Sequence, residues 1–407
     1  MAARSTAGEA RAWGWVAHLR AGGTEPWHAW EGPEGAPGDL HVLPGAQQLE
    51  VLRRLNQLGP TDRVLADRVL GQSAPGRGQP DLELVGADRG SRFGPRPVEP
   101  AELPAPELLR VAASLLAEDV ASAGLPPDGT AARPRPWRRG YRLLGDPELT
   151  DPVQRRLVEM GRPPRGRGET VVVLLDDLAT TLADVWRARC FARGTMVWEH
   201  WLRALERRDE LPPQVDPGAL RARLHEAGFH GDLHVVIDRS ALPALLGVRR
   251  DLPGPERPAA HVAELARWVA SFLGLFVPAE EAGDLLRRTL RPWIADDPGP
   301  GLAVPAPRQA WLRARAEALA ADLAGAGYAV HGDPQALVPP AGAAASGSTM
   351  TGPVRRESAL DLALRTLRAG HGRPGAAPER LPDWDVGEDP EDDELDEHDE
   401  HGTEVGT

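Results

Sequence analysis

Two copies of the triplet His-Gly-Asp stand in this chain, at 230–232 and 331–333, and His225, His234 and Asp238 lie close to the first. Imidazole and carboxylate at short spacing are the donors of a transition-metal site and the usual carriers of acid–base chemistry. Their placement argues against a shared metal. His230 and Asp232 precede the apolar run 233–237, whereas His331 and Asp333 close or follow the run 328–331. If both runs are parallel strands, the triplets fall at opposite ends of the sheet, and no metal is expected between them.

Polar groups also follow the apolar runs directly, as Asp176-Asp177, Asp238-Arg239-Ser240 and His331-Gly332-Asp333. Ligands of parallel sheets gather beyond the carboxyl ends of the strands, so Asp176, Asp238, Ser240, His331 and Asp333 form a candidate sheet-end polar site. The competing reading is structural: Asp177 is placed to cap a helix starting at Leu178, and Ser240 to cap a turn over 241–246.

Other chemistries are excluded or weakened by what is missing. All 47 basic residues are Arg, so neither a Schiff-base lysine nor a phosphate-loop lysine exists. No Gly-x-Ser-x-Gly elbow occurs. The single cysteine, Cys190, continues the fourfold stripe Leu178, Leu182, Trp186, which places the thiol in a core rather than at a nucleophile's post. No catalytic residue and no cofactor is assigned.

One basic stretch stands out. Between 133 and 167 there are ten Arg against four acidic residues, with Trp137 and Tyr141 interleaved. Guanidinium beside aromatics suits phosphate, sulfate or single-stranded nucleic acid, which makes Arg135, Arg138, Arg139 and Arg142 a candidate anion-binding set. A solvated linker, or a docking site for the chain's own acidic end, explains the same residues.

The elements that must position these groups are clearest from Thr170 onward. Residues 170–175 (TVVVLL) are a β-branched apolar run bounded by Gly168 and by Asp176-Asp177, as for a buried parallel strand. Helical patterns follow at 178–192, Trp198–Arg208 and 216–227, the last opened by Asp216-Pro217. Residues 233–237 (LHVVI) read as a second strand that closes a crossover, helices are predicted at 261–276, 279–293 and 311–326, and 328–331 reads as a third strand. Upstream, Trp13, Trp15, Trp27 and Trp30 punctuate a Gly/Pro-rich start and are expected to staple an arm onto the core. Helical spacing recurs through Leu49–Leu58 and over 106–121, and 82–85 is a short candidate strand.

The predicted architecture is α/β and helix-rich: a small parallel sheet flanked by helices, with a helical, Trp-rich N-terminal arm and a disordered acidic C-terminal tail. The boundaries are an arm with helices over 1–125, a Pro/Arg-rich connector over 126–168, the α/β domain over 169–338, a flexible linker over 339–357, a short helix over 358–370 and the tail over 371–407. The chain has 407 residues and a net charge of -13. Thirteen acidic residues and no Arg lie from Asp383 onward, which leaves the body neutral and the end unable to bury enough surface to fold. One cysteine, no signal-like start and no apolar stretch of membrane length point to a cytoplasmic protein that does not enter membranes.

The stretch 170–237, VVVLLDDLATTLADVWRARCFARGTMVWEHWLRAL followed by a helix and LHVVI, resembles the central part of actinobacterial sulfotransferase-like proteins. The resemblance implies a strand, a Trp-bearing helix, a second amphipathic helix and another strand. It also implies where a sulfonucleotide would sit, and there this chain departs. No phosphate loop follows a strand, and Asp176 stands where the family has an Arg for the nucleotide's 3′-phosphate. The expectation is therefore a non-catalytic binding or regulatory protein on a degenerate sulfotransferase-like scaffold, whose partner is a protein or an anionic ligand. The alternatives are a transferase with an unrecognised anion site, and a polyanion or nucleic-acid binder using the Arg connector.

Overall fold

The computed structural model describes residues 7–40, 42–73, 81–87, 97–127, 140–162, 164, 170–229, 231–325, 329–340 and 352–370. The predicted tail over 371–407 lies outside them, as does most of 339–351.

Four parallel strands form one sheet in sequential order: β1 (Tyr141–Gly145), β2 (Thr170–Leu174), β3 (Asp232–Val236) and β4 (Ala329–His331). The helices are α1 (Ala7–Arg20), α2 (Ala46–Gln57), α3 (Arg63–Gly71), α4 (Ala105–Ala123), α5 (Pro147–Glu159), α6 (Leu178–Cys190), α7 (Trp198–Arg208), α8 (Pro217–Glu226), α9 (Leu242–Leu246), α10 (Ala260–Leu273), α11 (Ala279–Leu285), α12 (Arg291–Ile294), α13 (Ala306–Gly325) and α14 (Gly352–Ala369).

The alternation of β2 and β3 divides the interior into two cores. Val171, Val173 and Val235 face a large core shared with α1–α4, α6–α8, α10, α13 and α14. Val172, Leu174 and Val236 face a smaller one with Tyr141 and Leu143 of β1, Leu149, Val153 and Leu157 of α5, and Leu242 and Leu246 of α9. Both faces are thus covered, which is why β2 reads as an unbroken apolar run rather than an alternating one. It also means that α5, following β1, and α6–α8, following β2, leave the sheet toward opposite faces. The crevice between those two strand ends has the geometry in which parallel sheets place ligands.

The Trp-rich arm is stapled as expected. Trp15 and Trp27 are buried with ring centroids 5.4 Å apart, and their indole N–H groups donate to the carbonyls of Glu25 and Val85. Arg11 stacks over Trp27 and donates to the carbonyls of Trp27 and Trp30.

Several expectations are corrected. The stretch 126–168 is not one connector, because it contains β1 and α5; among the described residues the sheet therefore has four strands, the fourth being Ala329–His331 within the run read at 328–331. Residues 82–85 make no strand beyond a single bridge from Leu84 to Val98. The helix read as 279–293 contains a π-turn at Leu286–Leu290. The helix over 358–370 begins at Gly352, inside the predicted linker, and is a core helix: Ala359, Leu360, Ala363, Leu364 and Leu367 pack into the large core beside α4 and α10. Ile237 lies just past β3 and is half-buried rather than enclosed. Cys190 is fully buried, and burial raises its thiol well above the ordinary value.

Candidate functional site

Each of the four strands is followed by an aspartate that caps the helical turn behind it. After β1, Asp146 Oδ1 accepts from the N–H groups of Glu148 (2.9 Å) and Leu149 (3.4 Å). After β2, Asp177 accepts from Ala179 (3.0 Å) and Thr180 (3.1 Å). After β3, Asp238 accepts from the N–H (2.9 Å) and hydroxyl (2.8 Å) of Ser240, and after β4, Asp333 accepts from the N–H of Gln335 (2.9 Å). Free N–H groups at such a helical start are what an α/β fold offers to phosphate. Here they face the chain's own carboxylates. Asp177 caps as expected, whereas Ser240 does not, because Asp238 holds the extended position before the turn and makes Ser240 a donor to it.

A buried polar network lies between the ends of β1 and β2. Gly145 closes β1 with φ +106, and a Cβ there would come within 2.1 Å of the Leu174 carbonyl oxygen, so only glycine lets β1 turn into α5 this close to β2. The turn delivers Asp146 to a fully buried position where its Oδ2 has no N–H or hydroxyl partner. Burial, reinforced by the neighbouring Asp184 carboxyl, holds Asp146 far above the usual carboxylate range. Asp184, also fully buried, is paired with Arg187 one turn later and with Arg257 Nε at 2.7 Å. Arg257 Nη2 in turn meets Asp176 at 2.7 Å. Glu148 is paired with Arg291 at 2.6 Å, yet burial outweighs the guanidinium and pushes its carboxyl up to about 7.

Asp176 thus does have a guanidinium beside it, supplied by a loop 81 residues away. That guanidinium bridges two carboxylates, one just past β2 and one on α6. The residues of the predicted sheet-end site line one edge, but each is engaged locally: Asp176 with Arg257, Asp238 with Ser240, Asp333 with its own turn. His331 is the exception. Its Nε2 lies 3.1 Å from Nδ1 of His234 on the neighbouring strand, and burial together with His234 lowers its pKa. His230 lies outside the described residues; Asp232 opens β3 and His331 closes β4, but His234, the third residue of β3, reaches across to β4. Sequence spacing could not show this, because register brings the residues together from 97 positions apart.

The candidate anion set is divided. Arg135, Arg138 and Arg139 lie outside the described residues. Arg142 is half-buried within β1 and engaged in polar interactions. Of the neighbouring cations, Arg155 pairs with Glu256, Arg156 with Glu159, and buried Arg162 donates to the carbonyls of Leu246 and Gly247. Among the described residues no group of three or more His, Cys, Asp and Glu side chains is arranged to hold a metal ion, and no helix is long and apolar enough to cross a membrane.

The fold and site define an α/β protein whose ligand-receptive sheet edge is capped from within. Comparison with family models, with curated proteins and with solved structures gives no match to this chain.

Proposed function

We propose that this chain is a non-catalytic binding or regulatory protein, built on a sulfotransferase-like α/β scaffold from which the nucleotide site has been lost. The observation that carries the reading is the set of four aspartate caps, Asp146, Asp177, Asp238 and Asp333, at the carboxyl edge of the sheet. A phosphate entering the turns capped by Asp177, Asp238 or Asp333 would meet a carboxylate where it needs a bare N–H, and at Asp146 it would find those N–H groups already taken by a buried acid. The tie from Asp176 through Arg257 to Asp184 supports the same reading, since it engages the carboxylate that stands where the resemblance places a nucleotide-binding Arg.

The test is a thermal-shift panel on the full chain with sulfonucleotides, nucleoside di- and triphosphates and short oligonucleotides. The expected result is no saturable stabilisation by any nucleotide. A saturable rise in melting temperature with a sulfonucleotide, abolished by Arg257→Ala, would restore the transferase reading. A rise with oligonucleotides alone would favour the polyanion reading through the Arg-rich stretch.

A further inference from the structure

We propose that His234 and His331 form a two-imidazole chelate at the edge of the sheet for a borderline divalent transition-metal ion, Zn2+ or Cu2+. The site is separate from the capped crevice between β1 and β2 and does not depend on the binding role proposed above.

The geometry is the argument. His234 Nδ1 and His331 Nε2 face each other at 3.1 Å. Two imidazole nitrogens bound to one ion at about 2.0–2.1 Å are about 2.9 Å apart at a right angle and about 3.4 Å apart at the tetrahedral angle. The observed spacing lies inside that range. Imidazole nitrogen is also a donor that Zn2+ and Cu2+ favour.

The pair is held before any ion arrives. Val236 and His331 are register partners on β3 and β4, so His234, two residues before Val236, projects from the same face of the sheet as His331. Beyond the last rung, the His331 carbonyl accepts from the N–H groups of both Ile237 (2.9 Å) and Asp238 (3.0 Å), which fixes the backbone of His331 against β3. Gly332 makes this closure sterically accessible: its φ is +108, and a Cβ there would lie 2.6 Å from the Asp238 nitrogen. Because β4 is the outer strand and both imidazoles are only half-buried, the open side of the pair faces solvent, and water completes the coordination.

In the metal-free pair one ring donates N–H to the other. Binding requires a tautomer shift in the donor ring, with no net loss of protons from the pair.

The experiment is calorimetric titration of the chelator-stripped full chain with ZnCl2 and CuSO4, for the native sequence and for His234→Gln and His331→Gln. One tight equivalent is expected in the native chain, with Cu2+ binding more tightly than Zn2+. Loss of either imidazole should weaken that phase by at least about tenfold, since even outer-shell partners of metal ligands are commonly worth that much. Circular dichroism melting of each variant confirms that the fold survives. If a variant does not fold, 15N-imidazole spectra of the native chain during Zn2+ titration replace it, and the resonances of both His234 and His331 must shift together. Absence of a tight phase from the native chain, or its retention in either folded variant, overturns the proposal, as do spectra in which only other histidines respond.

Discussion

Asp146 is buried, accepts two backbone hydrogen bonds through one oxygen and faces Asp184 with the other. Because its folded-state pKa is raised, the protonated form is the stable one inside the protein, while the unfolded chain ionises near pH 4. The native state then binds the extra proton, so stability is greatest below the unfolded pKa and falls as pH rises toward the folded value, by at most about 1.4 kcal/mol per pH unit. Glu148, raised to about 7, acts in the same direction between its unfolded value and neutrality. Asp146→Asn keeps the capping oxygen and removes the titration. The melting temperature of that variant relative to the native chain should therefore climb steadily from pH 5 to pH 8, and a pH-independent difference would falsify the shared burial of Asp146 and Asp184. At Asp177, where only the cap is involved, Asp177→Ala should cost about 1 kcal/mol in denaturant unfolding. The absence of lysine has its structural counterpart here as well. Bidentate guanidinium pairs brace single helices at Glu50 and Glu264, Arg68 joins α3 to Asp119 of α4, and Arg257 joins its loop to Asp184 of α6, where planar forks are better suited than a flexible ammonium.

At the scale of elements, β2 and α14 both place residues in the large core. Val173→Asp would put an unpaired charge on a fully buried strand, and several kcal/mol of destabilisation should leave the chain unfolded by circular dichroism. Leu360→Ala, in α14, should cost about 2–5 kcal/mol, as expected for a core position; a cost below 1 kcal/mol would mean that α14 is an appendage after all. These two elements also show how much was legible in the sequence. Buried on both faces, β2 announces itself as an unbroken run of Val and Leu. By contrast, β1 is an edge strand of five residues with Arg142 at its second position, and α5 carries an internal Pro152 and several charges. Their burial comes from partners elsewhere in the chain, so local pattern shows only an Arg-rich connector. The stripe of α14 was visible, but not its packing between α4 and α10. Caps were legible at Asp177 and Asp216 because a cap adjoins the helix it serves. The Asp146, Asp184 and Arg257 cluster and the His234–His331 pair were not, because sheet register and a loop return assemble them from distant positions.

For the whole molecule, a continuous core joins the N-terminal helices, one face of the sheet and α14, while the smaller core closes the opposite face. At the carboxyl edge of this body's sheet, four aspartate caps and the Arg257 pair with Asp176 and Asp184 occupy the groups an anionic ligand would need. Calorimetric titration of the full chain with 3′-phosphoadenosine 5′-phosphate at low salt measures whether this internal capping excludes an anionic ligand. No saturable heat is expected up to millimolar ligand. Micromolar, one-site binding that is lost when Arg257 is replaced by Ala would contradict it, because Arg257 would then be an anion ligand rather than a tie between Asp176 and Asp184.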